Sequence, residues 1–469
     1  MKIPGFRDIK LFKYQASCIR LVSKRLKKKT DFHIIADEQG LGKTIEAIGI
    51  CNMLGFDRVL VVCPLFVRDE WARILNEHTN SSYLLIQNRE SLLGRGRFEI
   101  INYDRVRVLR DELAERKYDC IICDEFQHVK NRKAKRTEAL TSLEIPKKLF
   151  LSGTPILNRT EELWTILNYG NPTRYSDYYA FVERYSKIRT IPITTFKYGR
   201  YVTFYIRKYV GGKNLSELRK KLKKVMIRRR KSDVLDLPPK MYQTLTVPMT
   251  GKQQEVYDRV VADLSVKIGK EKISARGALG KFNKLRQICC GLSAVSTRSS
   301  SCKLNVLTKF CEDYLYGDHK FFVVSPFRSI AQQAYERLKH YGAVYVDGTV
   351  SPMEARKRKM EFNKNKKCRL YIGTIGRNKE GLTLNAADYV IFLGKSLVQK
   401  INEQVEDRVH RIGQQSSVTV VSIISKGSID EKIEELLLEK AKLFGELIDG
   451  VDLSKPVVSS LEDIRRILR

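Results

Sequence analysis

The stretch FHIIADEQGLGKTIEAIGICNML, Phe32 to Leu54, decides the fold. Its apolar start reads as a buried strand, ADEQGLGKT (Ala36 to Thr44) as a tight loop, and the remainder as a helix. A loop of this kind exposes backbone N–H groups that can wrap phosphate oxygens, and the following helix adds its positive end. Gly40 and Gly42 carry no Cβ to block that approach. Lys43 supplies a mobile positive charge, and Thr44 offers a hydroxyl to a magnesium ion. The full pattern G-x-x-x-x-G-K-T is broken at its first position, which is Asp37. Asp37, Gly40, Gly42, Lys43 and Thr44 are therefore the candidate nucleotide-binding residues.

Working outward, the strand–helix alternation continues. VLVVCPL, FEIINYD, YDCIICDE and KKLFLSGTP are apolar runs ending in polar residues, and FVRDEWARILNEH reads as a helix. Such alternation predicts a parallel sheet covered on both faces, with functional residues at the carboxyl ends of its strands. A second alternating region, KFFVVSPF, AVYVDGT, CRLYIGT, ADYVIFLG and SVTVVSIIS, predicts a second unit of the same kind. Residues 9–28 read as an amphipathic helix, 250–292 as helices, and 428–448 as a C-terminal helix. The expected division is 1–170, 171–300 (basic helical insertions and linker), 301–427 and 428–469.

Composition narrows the partners. The 469 residues are 43% hydrophobic and 30% charged, a globular composition. The net charge is 87 − 53 = +34, which points to a polyanion, nucleic acid first. Within 197–240 there are 15 basic and 3 acidic residues, and the run is densest around Lys220, Lys221 and Arg228. Phosphate contact is favoured there over pairing with acids. The longest apolar run, Val59 to Val67, is too short to span a bilayer, and the first ten residues lack the core of a secretory signal. The 10 Cys form no framework, which fits a reducing compartment, and Cys120 with Cys123 reads as core rather than metal site. An intracellular protein that stays with DNA, as a monomer, is expected.

Three further segments carry chemistry. CDEFQH, Cys123 to His128, sets adjacent acids at a strand end, where Asp124 can hold magnesium and Glu125 can orient and deprotonate a water. LSGTPILN, Leu151 to Asn158, places small hydroxyl residues after another strand. In QVEDRVHRIGQQ, Gln404, Arg408 and Arg411 are spaced to share one helical face. Two guanidinium groups there suit a polyphosphate, and a solvated basic face is the plain alternative.

Taken in order, DEQGLGKT, DEFQH, SGTP, MIRRRKSDVLDLPPK and DRVHRIGQQ resemble the SWI/SNF-like ATPases of helicase superfamily two, from about Phe12 to about Gly450. The resemblance implies an α/β protein of two RecA-like parallel-sheet lobes, helical insertions between them and a C-terminal brace helix. It implies ATP hydrolysis with Mg2+, stimulated by double-stranded DNA, and movement along the duplex to remodel branched DNA or a DNA-bound protein. Gln15 would read the adenine, and Arg408 and Arg411 would be the arginine fingers, with Gln404 beside them. Pro64, Asn102, Tyr103, Lys130, Arg132 and Ser325 would follow the DNA backbone. The sequence departs from the family at Gln39, Phe126, Gln127, Gly376 to Leu384, and Gly394 to Ser396. A strand-separating helicase and a non-catalytic nucleic-acid binder are the rival readings.

Overall fold

Runs of β-branched and apolar residues build two parallel sheets in the computed structural model. It describes residues 3–438 apart from 8, 29, 154–159, 198–199, 263–264, 269–270, 275–276, 297–299, 315–316, 379–382, 412 and 415. The chain divides into two compact units at Leu235/Asp236. Residues 171–235 thus belong with the first sheet and 236–300 with the second, where the sequence suggested a separate middle segment.

The first unit holds β1 (Phe32–Ile35), β2 (Val59–Cys63), β3 (Tyr83–Leu85), β4 (Phe98–Asn102), β5 (Cys120–Asp124) and β6 (Lys147–Leu151). β1, β2 and β5 are buried at every residue, as strands covered on both faces must be. Helices α1 (Lys13–Lys28), α2 (Lys43–Leu54) and α3 (Arg68–His78) cover one face through Ile19, Val22, Ile48 and Trp71.

Past β6 the unit contains two features that sequence patterning did not predict. β7 (Ser186–Lys197) and β8 (Arg200–Gly212) form a two-stranded antiparallel ribbon in a stretch expected to be helical. β9 (Met226–Ile227) then pairs parallel with β1, giving the order β3-β4-β2-β5-β6-β1-β9. All neighbours in this sheet run parallel.

The second unit holds β10 (Lys240–Val247) and, between the expected helices, a short hairpin of β11 (Ser265–Ile268) and β12 (Glu271–Ser274). β13 (Phe321–Ser325), β14 (Ala343–Val346), β15 (Leu370–Thr374), β16 (Tyr389–Phe392) and β17 (Val418–Ser425) follow. The sheet order is β10-β17-β16-β13-β15-β14, again all parallel. The C-terminal helix is described over 429–438, where Ile429, Ile433, Leu436 and Leu437 pack on Val256, Val260, Phe282 and Leu285 of the same unit. The rest of the expected brace lies outside the described residues. Among the described residues no helix is long and apolar enough to cross a membrane.

Candidate nucleotide site

The loop after β1 is shaped by two glycines in the left-handed region, Gly40 at φ 90° and Gly42 at φ 83°. A Cβ on Gly42 would stand 2.4 Å from the Gln15 amide nitrogen, so a side chain there would push Gln15 off its bond to the loop. Gly42 is the N-cap of α2, which leaves the helix's first backbone N–H groups turned to the loop. Lys43 Nζ donates to the carbonyls of Asp37 (2.9 Å) and Glu38 (3.3 Å) and so folds across the same loop. Gln15 is buried; it donates to the Leu41 carbonyl at 3.0 Å and accepts from Phe12 N–H at 3.1 Å. It braces the loop from beneath. Thr44 is half-buried at the start of α2.

Asp37 departs from expectation. Its carboxylate is fully buried against the Arg229 guanidinium, and it accepts Arg229 N–H at 3.0 Å. Arg229 also reaches the buried Glu46 on α2 at 2.5 Å. Burial and the neighbouring Asp37 push the Glu46 carboxyl up to about 8. Arg228 Nη1 donates to the Ala36 carbonyl at 2.9 Å, and Lys231 N–H to Glu38 at 2.6 Å. The RRRK run was expected on DNA. Arg228, Arg229 and the Lys231 backbone instead strap β9 to the phosphate loop, because β9 enters the sheet beside β1.

The acids at the end of β5 lie on this same carboxyl edge. Asp124 is buried and accepts from Trp71 Nε1 at 2.8 Å. Burial, then the Glu125 charge, raises the Asp124 carboxyl to about 6. Glu125 has φ 51° and ψ 52°, a left-handed turn that swings its side chain out of the strand direction. Two amides hold its carboxylate: Gln39 Nε2 from the phosphate loop at 3.2 Å and Gln127 Nε2 at 2.6 Å. Ser152 Oγ, at the end of β6, donates to Gln127 Oε1 at 2.8 Å. Loop, Glu125 and the serine of SGTP are thus joined by one chain of hydrogen bonds. Thr154 and Pro155 lie outside the described residues. Trp71 and the two glutamine contacts were not legible from spacing; Trp71 read only as a helix residue.

Magnesium fits this donor set. Thr44 and Asp124 offer hard oxygen ligands, and a second carboxylate beside a buried, proton-raised Asp124 is the arrangement a cation would relieve. Among the described residues no group of three or more His, Cys, Asp or Glu forms another metal site, and Cys120 and Cys123 are buried free thiols.

Several residues expected on DNA have other partners. Tyr103 is buried, with its hydroxyl donating to the Asp124 carbonyl at 2.8 Å. Ser325 is buried and accepts Phe327 N–H at 3.1 Å. Pro64 is buried at the end of β2, and Asn102 caps the helix Tyr103–Val108 by accepting Arg105 N–H at 2.9 Å. Lys130 pairs with Glu162 at 2.9 Å, and Arg132 lies 4.2 Å over the Tyr178 ring. Lys221 pairs with Glu217 at 2.7 Å and donates to the Tyr185 hydroxyl at 2.8 Å, while Lys220 is exposed.

In the second unit the shared helical face is corrected. The helix Gln399–Glu406 ends before either arginine, and residues 407–411 continue as tight turns. Arg408 is buried, with Nε on the Gln404 carbonyl at 3.2 Å, and Arg411 donates to Thr383 Oγ1 at 2.7 Å. The segment is fixed from β10. Lys240 pairs with Glu406 (3.2 Å) and Asp407 (3.1 Å), and a His410 ring nitrogen lies 2.8 Å from the Pro238 carbonyl.

A glycine-shaped loop, paired acids and the serine of SGTP at the carboxyl edge of one parallel sheet, followed by a second parallel-sheet unit, define a helicase-like architecture. The chain matches the SNF2-related domain family over residues 14–294 and the helicase conserved C-terminal domain family over 302–413. It belongs to the SNF2-related family of helicase superfamily two, whose members are ATP-dependent enzymes. It is 29% identical over 429 residues to SWI/SNF-related matrix-associated actin-dependent regulator of chromatin subfamily A-like protein 1 of Xenopus laevis, covering 88% of this chain and 42% of that protein. It is 27% identical over 436 residues to the human DNA annealing helicase and endonuclease ZRANB3, covering 89% of this chain and 39% of that protein. The chain therefore spans about two fifths of the length of these relatives. The solved Sulfolobus solfataricus SWI2/SNF2 ATPase core in complex with dsDNA is 22% identical, with a TM-score of 0.46, over 100% of this chain and 98% of that one.

Proposed function

We propose that this chain is a DNA-stimulated ATPase that translocates on duplex DNA and remodels protein–DNA or branched DNA complexes. The observation that carries the reading is the hydrogen-bonded chain from the phosphate loop through Gln39, Glu125 and Gln127 to Ser152. Glu125 orients a water against the γ-phosphorus and takes its proton, and the bond to the bridging oxygen breaks with ADP as leaving group. The loop amides and Lys43 hold the phosphates. Thr44 and Asp124 would hold magnesium, which would supply neutralising charge at the phosphates. Arg408 and Arg411, from the second unit, act as the arginine fingers. The net charge of +34 supports a polyanionic track.

The test is ATP turnover measured in parallel with no nucleic acid, single-stranded DNA, duplex DNA and RNA. Duplex DNA is expected to raise turnover most. Equal turnover in all four would overturn DNA-stimulated action, and no turnover in any would favour the non-catalytic binder.

A further inference from the structure

The β7–β8 ribbon has a composition and an exposure that the nucleotide site does not use. Its 27 residues, Ser186 to Gly212, contain no acid and six basic residues: Lys187, Arg189, Lys197, Arg200, Arg207 and Lys208. Twelve consecutive cross-strand pairings, interrupted by one bulge near its root, run from Ser186↔Gly212 to Lys197↔Arg200. At the root the Ser186 and Thr160 hydroxyls lie 2.9 Å apart, and Lys213 N–H donates to the Tyr185 carbonyl at 3.0 Å. Among the described residues no third strand joins its sheet. A two-stranded ribbon is marginally stable in water by itself, and a bound partner would add to its stability.

Strand alternation sets Tyr201, Thr203 and Tyr205 on one face, with Pro192 paired to Tyr205. Tyr201 is 78% exposed and Tyr205 72%, and Phe204 on the opposite face is 47% exposed. Rings this exposed present faces on which a flat apolar group can stack. An intact duplex hides its base faces in the stack and offers only groove edges and phosphates. An unpaired strand offers phosphates for the cationic residues and free base faces for the rings together.

We propose that the β7–β8 ribbon is a binding surface for an unpaired DNA strand, and that it directs the ATPase to forks and junctions. The absence of any carboxylate along the ribbon leaves nothing to repel the phosphates. Tyr201 and Tyr205, four residues apart on one face, stack on bases of the same strand, a contact tolerant of sequence because every base has a π-face. The inference rests on the reading of the chain as a DNA-dependent ATPase and names where a branched substrate is recognised.

The test compares binding of the full chain to a fork with two oligo-dT arms and to a blunt duplex of equal length, together with duplex-stimulated ATPase. The wild type is expected to prefer the fork. Tyr201→Ala with Tyr205→Ala should lower fork affinity about tenfold or more and leave duplex affinity and duplex-stimulated turnover within about twofold. Tyr201→Phe with Tyr205→Phe keeps both rings and should keep the preference. A wild type that binds duplex without preferring the fork sinks the ribbon assignment alone. So does an alanine variant that keeps the fork preference, or a phenylalanine variant that loses it as fully as alanine. Failure to bind either DNA sinks the proposed function as well.

Discussion

Glu125 occupies a left-handed backbone conformation, which costs a residue with a Cβ about 1–2 kcal/mol. The surrounding hydrogen bonds offset that strain and fix the carboxylate between Gln39 and Gln127. Glu125→Gln should keep nucleotide affinity and lower turnover at least about 100-fold, because an amide fills the space and accepts no proton. Gln39→Met removes one donor to an ionised carboxylate. Turnover at saturating ATP should fall about tenfold, the scale of a lost charge-assisted hydrogen bond, with little change in binding of a fluorescent nucleotide. Weaker nucleotide binding at unchanged turnover would mean that Gln39 serves the loop and not the acid. Sequence spacing marked Lys43, Thr44, Asp124 and Glu125 as candidates, since each falls at or beyond the end of an apolar strand. It marked Gln39 and Gln127 as departures without showing that they meet, because the Gln39–Glu125 contact spans 86 residues of chain.

At the scale of elements, β1 carries an unusual burden. His33 is completely buried in it, and neither ring nitrogen has a hydrogen-bond partner among the described residues. Burial, with Arg25 nearby, lowers the imidazole from 6.5 to about 3. The folded state therefore holds His33 neutral while the unfolded chain takes up a proton below pH 6.5. Stability is fully present above that pH and is lost as pH falls toward the folded value. At pH 5 the loss is about 1.5 units, or ~2 kcal/mol. His33→Leu should raise the melting temperature and flatten its decline between pH 7 and pH 5. An equally steep decline in the variant would assign the acid sensitivity to other groups. The central strands were legible because continuous apolar runs mark two-sided burial. β9 was not, since two residues carry no period and its strand character comes from pairing with β1. The ribbon escaped for a related reason: Thr, Lys and Arg interrupt its apolar residues, so neither strand shows a long apolar run. The helix at Gln404 was drawn too long because spacing alone does not reveal that Arg411 is tied to Thr383.

For the whole molecule, a charge of +34 is too coarse to say which cations meet DNA. The structure sorts the densest run. Arg228 and Arg229 are committed to the phosphate loop and its acids, and Lys221 to Glu217 and Tyr185. Lys220, Lys223 and Lys224 are exposed on the outside of the same segment. Exposed lysines bind DNA chiefly by displacing condensed counterions, so each phosphate contact adds about 0.9 to the slope of log affinity against log salt. Replacing Lys220, Lys223 and Lys224 with Gln should make that slope shallower by as much as about 2.7, if all three reach phosphates. More DNA would then be needed to stimulate ATPase, while maximal turnover and melting temperature change little. Arg229→Ala should behave oppositely. It leaves Asp37 and Glu46 buried together without their cation, so the melting temperature should fall before the salt slope moves. If the triple lysine variant melts early at an unchanged slope, the exposed lysines belong to the fold and the DNA track lies elsewhere on the surface.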